Sequence, residues 1–138
     1  MTFKKLHPTE SELEILQILW DKGPSSVRAV NELLNEHREV GYTTTLKIMQ
    51  IMTEKSLVTR DTKTRTHIYH AAAQEGETQN NLLDKFLHKT YKGCVKSLVL
   101  QALGKDKASK EELAELKALI ENLENNQDTS NPTTHDAD

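Results

Sequence analysis

Apolar residues in the N-terminal part of the chain recur at helical spacing, and the first such segment ends before Gly23-Pro24. Just ahead of it, Thr9 and Glu12 have the spacing of a capping box, in which each side chain binds a backbone N–H group at the start of a helix. The spacing predicts a helix from Glu10 to Lys22. Its predicted apolar stripe consists of Leu13, Leu16 and Trp20, with Ile15 and Leu19 beside it.

Two further helices are predicted before the middle of the chain. Ser25 or Ser26 is a suitable N-cap for the second helix, whose apolar residues recur up to Leu34. Gly41 then interrupts the pattern, and the third helix is predicted to begin near Tyr42. The expected buried positions are Val27, Val30, Leu33 and Leu34 in the second helix and Thr45, Ile48, Met49 and Met52 in the third.

The opposite face of the third helix carries small polar and cationic side chains. We call it the reading face, and it consists of Thr43, Thr44, Lys47 and Gln50, with Ile51 beside it. Side chains of these types can contact base edges and phosphates in the major groove of DNA. A solvated helix surface has a similar composition, so this pattern alone leaves both interpretations open.

Two β-type segments follow the third helix, Leu57–Arg60 and Thr66–His70. The polar and charged residues between them predict a hairpin whose tip carries Lys63 and Arg65. Three helices followed by a basic hairpin are typical of a winged helix-turn-helix. This context favours DNA reading over a merely solvated helix surface.

A second helical unit is predicted for the C-terminal part of the chain. Ser109 and Glu112 form another capping box, and the apolar residues after it have the a/d spacing of a helix that packs along another helix. Packing within one subunit would also explain this stripe, but so short a unit buries little apolar surface, which favours a homodimer. The predicted dimerisation residues are Phe86, Tyr91, Leu98, Val99, Leu113, Leu116, Ile120 and Leu123.

The expected fold is therefore mainly α, with a small β-hairpin wing. Residues 1–73 are predicted to form the winged helix domain and residues 74–125 the helical dimerisation domain. Residues 126–138 are predicted to be a disordered tail, because this segment is polar and has no apolar periodicity.

The net charge of the chain is negative, but the basic residues are not evenly distributed along it. The 138 residues carry a net charge of −3, which is unusual for a DNA-binding protein. Residues 1–73 contain ten basic and nine acidic residues, whereas residues 74–138 contain eight and twelve. Within residues 40–70 there are five basic residues and two acidic ones, so the positive charge is a local footprint on the third helix and the hairpin.

Other classes of protein are disfavoured. No apolar segment reaches the ~20 residues of a membrane-spanning helix, and the chain start lacks the apolar stretch of a signal peptide, so a cytoplasmic protein without membrane insertion is expected. Cys94, the only cysteine, is expected to pack as a small apolar residue. His67 and His70, three apart on a strand, project to opposite faces, which argues against a metal site. No catalytic motif is present, so neither an enzyme nor a cofactor is expected.

Several segments resemble the penicillinase-repressor (BlaI/MecI) family of bacterial regulators. They are Ser11–Trp20, Tyr42-Thr43-Thr44, Tyr69, Thr90–Gly93, Ser97–Leu100 and Glu111–Leu116. The resemblance implies a homodimeric repressor of transcription that binds a palindromic operator in double-stranded DNA. It also implies release when a membrane sensor protease system triggers cleavage in the dimerisation domain. By position, Thr43, Thr44 and Lys47 would face the major groove. Lys63 and Arg65 would hold phosphates.

The chain departs from the family pattern at several positions. Ile51 stands where the family usually has a basic residue, and Lys55-Ser56 replaces the usual Lys-Gly after the recognition helix. The wing turn lacks the usual glycine, and the segment where relatives are cleaved reads Leu100–Leu103. The paired cysteines of the copper-responsive branch are missing, so no copper sensing is expected. The alternative function is a winged-helix protein-interaction module without specific DNA binding.

Overall fold

The computed structural model describes residues 7–130, which form six helices and two strands. These elements are α1 (Glu10–Lys22), α2 (Val27–Leu34), α3 (Tyr42–Glu54), β1 (Val58–Asp61), β2 (Ile68–Ala71), α4 (Glu75–Tyr91), α5 (Val95–Leu103) and α6 (Lys110–Ser130). The chain divides into two compact units, the first ending at Phe86 and the second beginning at Leu87, within α4. The domain boundary predicted between residues 73 and 74 falls just before this helix and stays a prediction.

Helix α1 begins with the predicted capping box and has the predicted bounds. The backbone N–H of Thr9 donates to Glu12 Oε1 at 2.9 Å, and the backbone N–H of Glu12 donates to Thr9 Oγ1 at 3.2 Å. The helix ends at Gly23, whose φ of 88° is a conformation that glycine adopts without steric cost. Both ends are therefore determined by local interactions that the sequence displays.

The buried face of α1 differs from the predicted stripe. Ile15, Leu16 and Leu19 are buried, whereas Leu13 and Trp20 are only half-buried. Glu12, one turn before Ile15, is buried too, because Lys55 Nζ lies 2.9 and 3.0 Å from its two carboxylate oxygens. This ion pair allows the first turn of the helix to face the core without an unpaired buried charge.

The core of the first unit joins the three N-terminal helices to the hairpin. Strands β1 and β2 are antiparallel, with Val58 opposite Ala71 and Asp61 opposite Ile68. Buried Tyr69 also pairs with Ser25 in the connection between α1 and α2, through N–H···O bonds of 2.8 and 3.1 Å. The whole core consists of Ile15, Leu16, Leu19, Val27, Val30, Leu34, Val40, Met49, Met52, Leu57, Val58 and Tyr69. This arrangement confirms the predicted winged helix-turn-helix.

The strands lie one to two residues later than predicted. Leu57 is buried but lies outside the ladder, since its carbonyl oxygen accepts bonds from the backbone N–H groups of Ala72 and Ala73. Trp20 reaches the same place, where its indole N–H donates to the carbonyl of Ala73 at 2.9 Å. These long-range bonds fix the ends of the hairpin, and a pattern of residue types does not reveal them.

In the second unit, helix α5 and residues 110–127 of α6 contain no buried residue. Cys94 was expected to be packed, but it is exposed. The reason is its position as the N-cap residue of α5, where the Ser97 hydroxyl donates to its sulfur at 3.3 Å. This hydrogen bond lowers the pKa of the Cys94 thiol, because it favours the thiolate.

Helix α6 continues beyond the predicted start of the tail at residue 126. It reaches Ser130, because no glycine or proline occurs before Pro132 to stop a helix that is already propagating. The rest of the predicted tail, residues 131–138, lies outside the described residues.

Candidate nucleic-acid interface

The turn between α2 and α3 is held by asparagine side chains, and it sets the direction in which α3 leaves. Asn35 Nδ2 donates to the carbonyl of Val40 at 2.8 Å, and the Val40 N–H donates to Asn35 Oδ1 at 3.1 Å. Asn31 Nδ2 bonds the same carbonyl at 3.0 Å and the hydroxyl of Thr45 at 2.9 Å. Since Thr45 is fully buried in α3, this network joins the start of that helix to α2.

The reading face lies exposed on α3, and all four of its residues are on the surface. Thr45, Met49 and Met52 are buried on the opposite side, as predicted, whereas Ile48 is only half-buried. Among residues 7–130, no ion pair involves Lys47, so its ammonium group is available to a ligand. The structure therefore presents a polar, cationic helix surface on a rigid support.

The wing tip is closed by a side chain in place of glycine. Asp61 Oδ1 accepts the backbone N–H of Lys63 at 2.9 Å, which is the geometry of an Asx turn. Thr64 Oγ1 donates to the carbonyl of Thr66 at 2.6 Å. Lys63 and Arg65 are exposed on this ordered turn, and neither takes part in an ion pair within the described part of the chain.

One basic residue of the predicted footprint has another partner. Lys55 contacts buried Glu12, so its charge stabilises the fold and is withdrawn from the surface that the other cations share. Ser56 follows it with a φ of 65°, in the left-handed region that favours glycine. The departure from the usual Lys-Gly pair therefore places a strained residue directly after α3.

Three residues beside the reading face were not predicted from the sequence. Arg28, Tyr42 and His67 line an open cleft between α2, α3 and the hairpin, where Arg65 also lies. A signal for Arg28 was present, because Ser26 is the N-cap of α2 and Arg28 follows it in the first turn. Tyr42 is 51% exposed at the first position of α3, where an aromatic residue is easily assigned to the core instead.

The predicted dimerisation residues lie on surfaces that one subunit leaves open. Those that are exposed by about two fifths to one half are Phe86, Val99, Leu113, Ile120 and Leu123, and those that are half-buried are Tyr91, Leu98 and Leu116. Leu119 was not predicted, although it is 50% exposed and lies three residues after Leu116 on the same helix. The apolar surface of α6 is therefore broader than the a/d stripe.

Between residues 7 and 130, no three histidine, cysteine or acidic side chains are grouped as they would be around a metal ion. His67 lines the cleft beside α2, whereas His70 does not. None of the helices described has both the length and the apolar character needed to cross a membrane.

Comparison with known proteins identifies the group to which this fold and surface belong. The family described as penicillinase repressor matches residues 8–122, which include every element from α1 to α5 and most of α6. The chain belongs to the penicillinase-repressor family. The match extends through both units, so the C-terminal helices belong to the family pattern as much as the winged helix does. This membership supports a regulator of transcription of the repressor type.

Individual relatives in this family are distant but similar over their whole length. The methicillin resistance regulatory protein MecI of Mammaliicoccus sciuri is 24% identical over 120 residues, which cover 87% of this chain and 98% of the relative. MecI of Staphylococcus aureus strain N315 is 23% identical, with the same coverage. The penicillinase repressor of Staphylococcus aureus is 22% identical over 123 residues, which cover 89% of this chain and 98% of that protein.

Proposed function

We propose that this chain is a homodimeric repressor that binds a palindromic DNA operator through α3 and the wing. The observation that carries this proposal is the exposed, unpaired Lys47 on the reading face, next to a basic and ordered wing tip. In a winged helix, such a helix can enter the major groove while wing cations contact the phosphates. The reading face supplies sequence discrimination, and Lys63 and Arg65 supply affinity for any sequence.

The homodimer is supported by the state of the second unit. Helix α5 and residues 110–127 of α6 bury none of their side chains within one chain, and α6 exposes a broad leucine and isoleucine surface. Isolated helices of this size are marginal in water, because nothing offsets the conformational entropy lost when they form. A second copy would cover the α6 surface with an identical one. Two winged helices could then contact one operator in successive major grooves.

The proposal predicts that Lys47→Ala and Lys63→Ala weaken DNA binding in different ways. Lys47→Ala weakens the operator complex by about 1–3 kcal/mol and leaves binding to unrelated DNA nearly unchanged. Lys63→Ala weakens all sequences and lowers the salt slope by about 1, because one phosphate contact is lost. Fluorescence anisotropy with duplexes from the DNA flanking the protein's own gene, over a salt series, measures both effects.

The matched control is Lys22→Ala, since Lys22 is an exposed lysine on α1 whose ammonium group lies 3.7 Å from exposed Asp21. This variant keeps the wild-type affinity and salt slope. A wild-type protein that binds no flanking duplex more tightly than scrambled DNA contradicts the proposal. It would favour the protein-interaction module instead.

We further propose that cleavage at α5 releases the repressor, near Gln101 and Ala102. Both residues are exposed, and α5 holds no buried side chain, so opening this helix exposes little new apolar surface. A site-specific protease sequence inserted between α5 and α6 tests the consequence, because cutting there separates α6 from the winged helix. Cleavage lowers operator affinity by about 100-fold, since two linked half-site contacts become independent. Unchanged affinity after complete cleavage would rule out this route of release.

Acting on genomic operators requires a cytoplasmic protein, and we propose that location. The partners expected in addition to DNA are the second copy and a membrane sensor protease system that triggers the cleavage.

A further inference from the structure

We infer that the cleft between α2 and the wing binds a DNA backbone phosphate through Arg28 and Arg65, and that His67 adds a pH-dependent contact to the same phosphate group. The inference rests on the proposed function, because it supposes that DNA lies against α3 and the wing. It goes beyond that function by adding a phosphate site and a dependence on pH.

Hydrogen-bond donors from three elements line the cleft. Arg28 comes from the first turn of α2, Arg65 from the wing, and Tyr42 from the start of α3, so three elements place donors around one opening. All three side chains are exposed. Guanidinium groups bind phosphate oxygens through paired N–H donors, and a tyrosine hydroxyl is a further donor.

Within residues 7–130, neither Arg28 nor Arg65 takes part in an ion pair. Glu32, one turn after Arg28 on α2, is the carboxylate that lines the cleft. In residues 7–130 no ion pair joins Glu32 to Arg28 or Arg65. The two arginines therefore keep their capacity for an anion, and the cleft has a positive balance even with Glu32 included.

His67 lies beside Arg65 and Thr66 in the same cleft. An imidazole changes its charge within the physiological pH range, whereas a DNA phosphate stays anionic throughout it. The groups that face the cleft are Arg28 and Glu32 on α2, Tyr42 on α3, and Arg65 with buried Tyr69 on the hairpin. Guanidinium groups are cationic throughout this pH range, so a pH dependence of phosphate binding in the cleft is expected from the imidazole of His67.

His70 provides a matched control three residues away. It is exposed at a ladder position of β2 opposite Thr59, and it does not line the cleft. A general effect of histidine charge on DNA binding would involve both residues, whereas a contact in the cleft involves His67 alone.

The test measures the salt dependence of DNA affinity at pH 6.0 and pH 8.0 by fluorescence anisotropy, for wild type, Arg28→Gln, His67→Gln and His70→Gln. Each protein is titrated with an operator duplex and a scrambled duplex. Wild type binds both duplexes roughly three- to tenfold more tightly at pH 6.0, with a salt slope steeper by about 0.9, because one more phosphate is neutralised. His67→Gln loses this pH effect and His70→Gln keeps it. Arg28→Gln lowers the slope by about 1 at both pH values.

Equal pH effects in His67→Gln and wild type, or an unchanged slope in Arg28→Gln, overturn the inference. Its failure is distinguishable from failure of the proposed function, since a phosphate contact is independent of sequence. If the operator and the scrambled duplex bind equally but the slopes change as expected, the operator proposal fails and the phosphate site stands. Circular dichroism of each variant verifies the fold. Glu32→Gln changes DNA affinity in the opposite direction to Arg28→Gln, since it binds both duplexes more tightly than wild type.

Discussion

The effect of a single residue on the stability of this protein depends on its backbone conformation as well as on its side-chain chemistry. Ser56 is an example, because it follows α3 with a φ of 65° and is exposed. A residue with a Cβ atom pays a steric cost in this left-handed region that glycine does not. Glycine would adopt the same backbone conformation at this position without that cost.

We therefore predict that Ser56→Gly stabilises the protein. Relief of the strain outweighs the greater entropy of glycine in the unfolded chain, and the net gain is about 0.5–1 kcal/mol. Urea unfolding followed by circular dichroism measures the midpoint and the slope. The control is Thr59→Gly, in strand β1, which lowers stability because the ladder residue loses conformational restriction. A lower midpoint for Ser56→Gly would show that the left-handed conformation carries no strain.

At the scale of elements, the turn between α2 and α3 determines how the reading face is presented. Asn35 donates to the carbonyl of Val40 and accepts from its N–H, so it stabilises the turn through both backbone groups of that residue. A polar side chain in a turn is usually interpreted as solvated, but here it replaces backbone hydrogen bonds that no regular element supplies.

We predict that Asn35→Ala lowers stability by about 1–2 kcal/mol, because the Val40 N–H loses its partner and the Val40 carbonyl keeps only Asn31. Operator affinity also falls, since the start of α3 is less well fixed, but the salt slope is unchanged because no phosphate contact is removed. Urea unfolding and anisotropy titrations separate the two effects. Glu36→Ala, an exposed change in the same turn, leaves both quantities close to wild type. An altered salt slope in Asn35→Ala would instead implicate the turn itself in phosphate binding.

At the scale of the whole molecule, the proposed function depends on the oligomeric state. Ile120 is 51% exposed and Leu119 is 50% exposed on α6, next to Leu116 and Leu123. In a free subunit, Ile120→Glu changes the free energy of unfolding little, because the side chain at this position already contacts water. In a dimer that covers this surface it buries a charge, which is strongly unfavourable.

We predict that Ile120→Glu converts a dimer into a monomer in sedimentation velocity and lowers operator affinity at least 30-fold, by roughly 2 kcal/mol or more. Lys117→Glu, an exposed change on the same helix, provides the control for added negative charge.

Inserting five base pairs between the operator half-sites rotates them by about half a turn, and wild type then loses most of its affinity. A wild-type protein that sediments as a monomer at micromolar concentration would contradict the dimer directly.

The sequence by itself determined the features that depend on neighbours three to seven residues apart. The capping box and the bounds of α1 and the polar face of α3 follow from local spacing, because helix formation and helix amphipathicity are local properties. The winged helix class followed too, since three helices and a basic hairpin in that order leave few arrangements. The order and position of Thr43, Thr44 and Lys47 on one exposed face were predictable for the same reason.

Only the tertiary structure decided which distant residues meet. Glu12 is buried because Lys55, 43 residues later, reaches it, and this contact removes one lysine from the basic footprint. The cleft exists because packing places Arg28 of α2, Arg65 and His67 of the wing around one opening. Such contacts depend on the angles at which elements pack, which no local pattern contains. Periodicity therefore predicted the elements and their faces, whereas packing determined which residues contact each charged side chain.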